Sequence, residues 1–182
     1  MKAGARVLGV AESYTGDYST LAGALVTVAG RFDDLCFGSC TVGGTDGTEA
    51  IVDLVERLDR EDISAVLIAG VALAWYNIVD LDRLSRAIEP PVIAVTFETS
   101  DGLEPGIEDA FEGSTREDRL ERYHALPPRH PIVPDSLYVR SVDLSPEDAG
   151  AIVTATTPEN APRPDPLRVA NIAAQAADEI RT

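Results

Sequence analysis

Two uninterrupted apolar runs constrain this chain more than any other feature of its sequence. Residues 64–73 read SAVLIAGVAL, and residues 90–98 read PPVIAVTFE. A strand that is apolar on both sides needs cover on both faces, and parallel sheets supply it. Between the two runs, DLDRLSRAI (80–88) sets Leu81, Leu84 and Ile88 in line at helical spacing. Strand, helix, strand then reads as a crossover unit with its helix packed on the sheet.

Upstream the period differs. Residues 6–12 and 20–29 are apolar and rich in Val, Leu and Ala, and residues 34–42 alternate. Short polar or Gly-containing connections join them, as in an antiparallel meander. After GGTDGT, residues Ile51, Leu54, Val55 and Leu58 form one helical stripe, with Asp53, Glu56, Arg57 and Arg60 on the other face. Downstream, 106–126 reads as a charged helical region, LPPRHPIVPDS (126–136) as a Pro-rich loop, and LYVRSV as a short strand. SPEDAGAIVTAT opens a helix with Ser145 at its N-cap and Pro146 at the first helical position. A Pro-rich stretch (157–165) follows, and Asp165-Pro166 caps a last helix to about Ile180.

No internal repeat or second domain is visible, so residues 1–182 are expected to form one domain. Three antiparallel strands followed by helix, strand, helix, strand is the order of the ribonuclease H-like fold. That α/β fold has a mixed sheet, three antiparallel strands and then parallel ones with flanking helices, and its first strand lies beside its fourth. In such folds, carboxylates near the middle of the first strand and the end of the fourth converge on one or two Mg²⁺ ions, which can activate water against a phosphodiester.

Composition bears on partners and environment. The formal net charge is −16 with 45% apolar residues, and Lys2 is the only lysine. Regular apolar periodicity argues against disorder, so the expectation is a soluble protein of a high-salt cytoplasm. There, repulsion between carboxylates is screened over roughly 3 Å at about 1 M salt. Acidity normally argues against nucleic-acid binding, because Lys and Arg supply the phosphate contacts. High salt suppresses that contribution for every protein, so the charge neither excludes nor supports a DNA or RNA substrate. The sequence has no window as apolar and long as a transmembrane helix and no signal-peptide core, and a cytoplasmic location is expected. Cys36 and Cys40 would lie about 13 Å apart in a strand at about 3.3 Å per residue, too far for a disulfide. They read as buried thiols.

Several stretches resemble the archaeal endonuclease dU family, relatives of endonuclease V: RVLGVAES, TVGGTDGTEAI, GVALAWYNIVD with PPVIAV after it, and PDPLRVANIAA. They run in order from near residue 6 to beyond residue 170. The resemblance implies a ribonuclease H-like fold and a metal-dependent DNA-repair endonuclease, using Mg²⁺ or Mn²⁺, that nicks deoxyuridine-containing DNA. The chain departs from the family pattern at the acids. The first strand usually reads Gly-Ile-Asp-Asp, so Ala11 replaces the first acid and Glu12 the second. Asp46 is retained in GGTDGT, but an acid is missing at Gly43. Ala69 stands where endonuclease V has an acid before its glycine, Trp75 replaces a small residue, and Asn171 occupies a position often filled by histidine.

The candidate residues each carry two readings. Glu12 is a metal ligand or general base, provided the strand ends or bulges there, or else an exposed acid at a strand end. Asp46 is a second catalytic and metal-binding carboxylate, or a helix cap in the pattern Asp-x-x-Glu with Glu49. Asp80 is a supporting metal ligand or the N-cap of the next helix. Tyr76 and Asn77 are contacts to nucleic acid at the sheet edge, or groups that hydrogen-bond a turn. Trp75 and Tyr76 stack on a base or pack the core. Arg168, a cation in a first helical turn where the dipole opposes it, binds a phosphate or pairs with Asp165. His124 and His130 lack the partners of a hydrolytic triad. Three functions remain open: a nuclease of endonuclease dU type, a reduced relative that binds nucleic acid or a nucleotide without cutting, and a non-catalytic assembly or regulatory domain.

Overall fold

The computed structural model describes residues 1–97, 102–133 and 136–181. The meander forms β1 (Arg6–Tyr14), β2 (Tyr18–Thr27) and β3 (Phe32–Thr41). Helix α1 (Gly47–Leu58), strand β4 (Ile63–Ala69), helix α2 (Leu81–Ala87) and strand β7 (Val92–Thr96) build the crossover unit. Strands β8 (His130–Val133) and β9 (Leu137–Ser141) extend the far edge, and α5 (Pro146–Ala155) and α6 (Asp165–Arg181) end the chain. The seven-stranded sheet runs β3-β2-β1-β4-β7-β9-β8. β1 is antiparallel to β2 and parallel to β4, with Val7 opposite Ala65 and Val10 opposite Ile68. β4 is in turn parallel to β7. This is the mixed sheet of the ribonuclease H-like fold, with its first strand beside its fourth.

The sheet separates two apolar layers. On one face Leu8, Val10, Leu21 and Ile68 pack with Ile51 and Leu54 of α1 and with Leu81 and Leu84 of α2. On the other, Val7, Leu67, Ile93 and Val139 meet Ala149 and Val153 of α5 and Leu167 of α6. Helix α6 begins hard against β1. A Cβ on Gly9 would overlap the backbone of Pro166, so a glycine is required for that approach.

Four expectations need correction. The run 64–73 is not one strand: β4 stops at Ala69, Gly70 takes φ +87°, and the chain leaves the sheet. It then forms a separate hairpin, β5 (Ala72–Leu73) with β6 (Asn77–Ile78). The Pro-rich loop contains β8, because Pro131 sits on the edge strand, where a missing N–H is tolerated. The charged region 106–126 is two helices, α3 (Glu104–Ala110) and α4 (Gly113–His124), interrupted where Phe111 turns extended. The strand expected to reach residue 98 ends at Thr96, and Glu98 lies outside the described residues. The helix starts hold up better. Ser145 caps α5 by accepting from the Asp148 N–H at 3.0 Å.

Candidate functional site

Strand β1 runs without a break in pairing through Glu12, which faces Leu21 of β2. Neighbouring strand residues point to opposite faces, so Ala11 and Glu12 serve different layers of the molecule. Ala11 is 1% exposed and packs with Ala24, Val26, Ala69 and Ala170 beneath α6. Two of the three positions where the resemblance expects an acid and this chain lacks one, Ala11 and Ala69, therefore lie within one apolar patch, while Gly43 sits apart in the β3–α1 loop. Glu12 points to the α1 side. Its Oε2 accepts from the Ser19 hydroxyl at 2.5 Å, and its Oε1 lies 3.4 Å from the Ala74 N–H.

Asp46 precedes α1 but makes no side-chain cap, contrary to the capping reading. Its carboxylate turns back to β3, accepting from the Thr41 N–H at 3.1 Å and the Thr41 hydroxyl at 2.8 Å. Asn77 adds a third donor at 2.7 Å. Burial works to raise the Asp46 pKa, but the bonds from Thr41 and Asn77 outweigh it and hold the carboxyl below its ordinary value. Glu49, the other half of the expected cap, pairs instead with Arg83 at 2.5 Å.

Asn77 is fully buried. Besides Asp46, its amide donates to the Thr41 carbonyl at 3.0 Å, while its Oδ1 accepts from the Gly47 N–H at 2.9 Å. Its hydrogen-bonding capacity faces inward and ties the hairpin to β3 and α1. Asp80 caps α2, accepting from the Arg83 N–H at 2.9 Å. Arg168 pairs with Asp165 through its Nε at 2.9 Å and a terminal nitrogen at 2.8 Å. That ion pair within the first turn of α6 accounts for a cation at the positive end of a helix.

The fit of a metal can be judged from these donor sets. Mg²⁺ is held by carboxylate oxygens and retained waters in near-octahedral geometry. Among the described residues, no three of His, Cys, Asp and Glu come together in a group able to hold a metal ion. Glu12, Asp46 and Asp80 are brought to the same side of the sheet but are each engaged by protein donors. Asp46 in particular is ringed by N–H and O–H groups where a cation would need lone pairs. The arrangement does not fit a resident divalent ion. Both acids do influence Cys40, whose thiol is pushed up to about 12 by burial first and then by Asp46 and Glu12.

What the acids support is the turn at the tip of the β5–β6 hairpin. Ala74, Trp75 and Tyr76 have φ of +38°, +61° and +57°. Three successive left-handed residues with a Cβ cost about 1–2 kcal/mol each. The Ala74 carbonyl accepts from the Gly43 N–H at 2.7 Å, and the Ala74 N–H is the group aimed at Glu12. Tyr76 meets Phe111 edge-on with centroids 6.0 Å apart, and its hydroxyl lies against Gly106. Trp75 remains 51% exposed.

Sequence reasoning missed Arg119. It is 5% exposed, its guanidinium lies 4.2 Å above the Phe111 ring, and it donates to the carbonyls of Gly43 and Gly44. Its Nε is buried and has no hydrogen-bond partner among the described residues. Burial lowers its pKa, with Asp118 acting in the opposite direction. Nothing in the charged pattern of α4 distinguishes Arg119 from its solvated neighbours.

The endonuclease dU family model matches residues 3–178. The chain belongs to the endonuclease dU family. The chain is also similar to a UPF0215 protein of Pyrobaculum aerophilum, 34% identical over 179 residues, covering 95% of this chain and 94% of the relative. The UPF0215 protein of Pyrobaculum calidifontis is 30% identical over 176 residues, covering 94% and 96%. Among solved structures, a protein of unknown function from Archaeoglobus fulgidus superposes with TM-score 0.83 at 24% identity, covering 94% of this chain and 97% of the other. Endonuclease V of Ciona intestinalis, solved with inosine-containing DNA, has TM-score 0.66 at 13% identity, covering 97% and 87%. This endonuclease dU member thus shares the endonuclease V fold, and its family supports a nuclease-like function. No helix among its described residues is long and apolar enough to cross a membrane.

Proposed function

We propose that this endonuclease dU member binds DNA at the sheet end formed by the β5–β6 hairpin and the β3–α1 loop, without a two-metal cutting centre. The observation that carries the reading is the apolar patch that holds Ala11, Ala69 and Ala170, a closure where the fold's cutting acids are expected. Family membership and a fold shared with a DNA-bound endonuclease V support nucleic acid as the ligand. The family name supports deoxyuridine as the feature recognised. Tyr76 lies on this surface, and Asn77 and Asp46 hold its frame rather than reach the ligand.

A second reading keeps cleavage, with Glu12 and Asp46 taking up Mg²⁺ or Mn²⁺ after DNA binds. It is favoured by one observation: Glu12 lies against the Ala74 N–H and Asp46 accepts from the Asn77 amide, so both carboxylates border the same β5–β6 hairpin.

One experiment separates the two. The protein is mixed with deoxyuridine- and deoxyinosine-containing duplexes in molar KCl with Mg²⁺ or Mn²⁺, and binding and nicking are followed together. Binding without nicking is the expected result. Metal-dependent nicking that disappears in Glu12→Gln would establish the second reading, and absence of binding to any strand would reject both.

A further inference from the structure

We propose that Trp75 is a stacking platform on which one unpaired nucleobase lies, a contact that rests on the DNA-binding reading above. The argument starts from the backbone. Trp75 is the middle of three left-handed residues, at φ +61° between +38° and +57°. Conformations of this kind persist only where surrounding contacts over-determine them, and they gather at functional positions. Here the surroundings are specific. Gly43 holds the Ala74 carbonyl, the β5–β6 pairing of Leu73 with Asn77 closes the turn, and the buried Asn77 amide fixes its base.

The indole itself does not account for the strain. At 51% exposure it contributes about half of the burial that a core tryptophan would. The indole lies beside Gly43, where a Cβ would come within 3.4 Å of the ring, and meets Tyr76 at 5.8 Å and 75°. Tyr76 in turn meets Phe111, and Phe111 carries the Arg119 guanidinium. The exposed ring thus leans on Tyr76, the first member of a chain of contacts that runs through Phe111 to a cation that also grips the Gly43–Gly44 loop. A half-exposed indole on a strained, hydrogen-bonded turn suits a flat π-partner that arrives from solvent. In a protein that binds DNA, an unstacked base is that partner, and stacking on an aromatic ring tolerates every base.

The chain has a single tryptophan, so its fluorescence reports on this ring alone. The protein is titrated with a short single-stranded deoxyribo-oligonucleotide and with an abasic strand of the same length, and binding is followed independently by anisotropy of a label on the strand. Expected results are quenching by the base-bearing strand, little by the abasic one, and binding weakened about tenfold or more in Trp75→Gly. Trp75→Phe should retain most of the affinity. The melting temperature of Trp75→Gly should be unchanged or higher, since glycine accepts φ +61° without steric cost. Binding without quenching, equal quenching by the abasic strand, or undiminished binding by Trp75→Gly would overturn the proposal while leaving DNA binding intact. A lowered melting temperature in Trp75→Gly would assign the indole to packing and overturn it as well. No anisotropy change with any strand would remove both this contact and the DNA-binding reading.

Discussion

The side-chain amide of Asn77 donates to Oδ1 of Asp46 at 2.7 Å, joining the base of the Trp75 turn to the loop that enters α1. The same amide accepts the Gly47 N–H at 2.9 Å, so one residue satisfies a helix start and a carboxylate together. Removing it would strand both.

Asn77→Ala is therefore expected to lower stability by about 3 kcal/mol, the scale for leaving buried polar groups unpaired. Asn77→Asp should cost more, because it sets a second carboxylate against Asp46. Urea denaturation of the two variants measures both losses. A change below about 0.5 kcal/mol in Asn77→Ala would mean that water replaces the amide without cost.

Asp46 should give stability a local pH dependence. Its pKa is lowered in the folded state, so the folded form binds its proton less readily than the unfolded chain does. The stabilisation is then complete above the unfolded value of about 3.9 and is lost as pH falls through the lower folded value. Urea midpoints of wild type and Asp46→Asn, compared from about pH 6 to about pH 3, should converge at the acid end. A constant difference across that range would contradict the assignment.

Restoring the first acid of the family pattern tests the closure beneath α6. Ala11→Asp places a carboxylate where Ala24, Val26 and Ala170 offer no hydrogen-bonding side chain. Burying an unpaired charge is costly enough that the group protonates or the structure yields. The expected outcome is a fall of several kcal/mol in stability and no gain of metal-dependent nicking. A stable variant that binds Mn²⁺ would show that the patch opens readily.

The charge of −16 makes the fold sensitive to salt. As KCl falls from molar to about 0.1 M, surface acids repel over roughly 10 Å instead of about 3 Å. Thermal melts should shift downward on dilution. Melts that stay fixed or rise would remove the high-salt origin from consideration.

The layers and order of the fold were legible because burial sets hydrophobic period directly. The meander, the α1 stripe at Ile51 and Leu54, and the parallel pair β1–β4 all follow from it. Boundaries set by a single backbone angle were not, as Gly70 illustrates: it sits inside an apolar run that reads as continuous. At the site, the alternation of Ala11 and Glu12 was visible as a condition, but whether β1 bulged there depended on its pairing with β2. Asp46 matched a capping pattern and was claimed instead by Thr41 and Asn77, a competition between acceptors that only three-dimensional proximity decides. Arg119 gave no local signal, since its partners are backbone carbonyls 75 and 76 positions earlier in the chain.

The parity of β1 also shapes what mutation can reach. Sliding an acid from position 11 to position 12 moves it through the sheet to the opposite layer, so the step is a change of neighbourhood rather than a small displacement. On the Ala11 side, small apolar side chains from β1, β4 and α6 close together, so an acid there has no polar side chain in the patch to receive it. An acid at Ala11 needs room that Ala170 occupies, and any enlargement near Gly9 is barred by the backbone of Pro166. An acid restored on that layer would therefore need changes in β1, β4 and α6 together, whereas Glu12 on the other layer already lies beside the Ala74 turn.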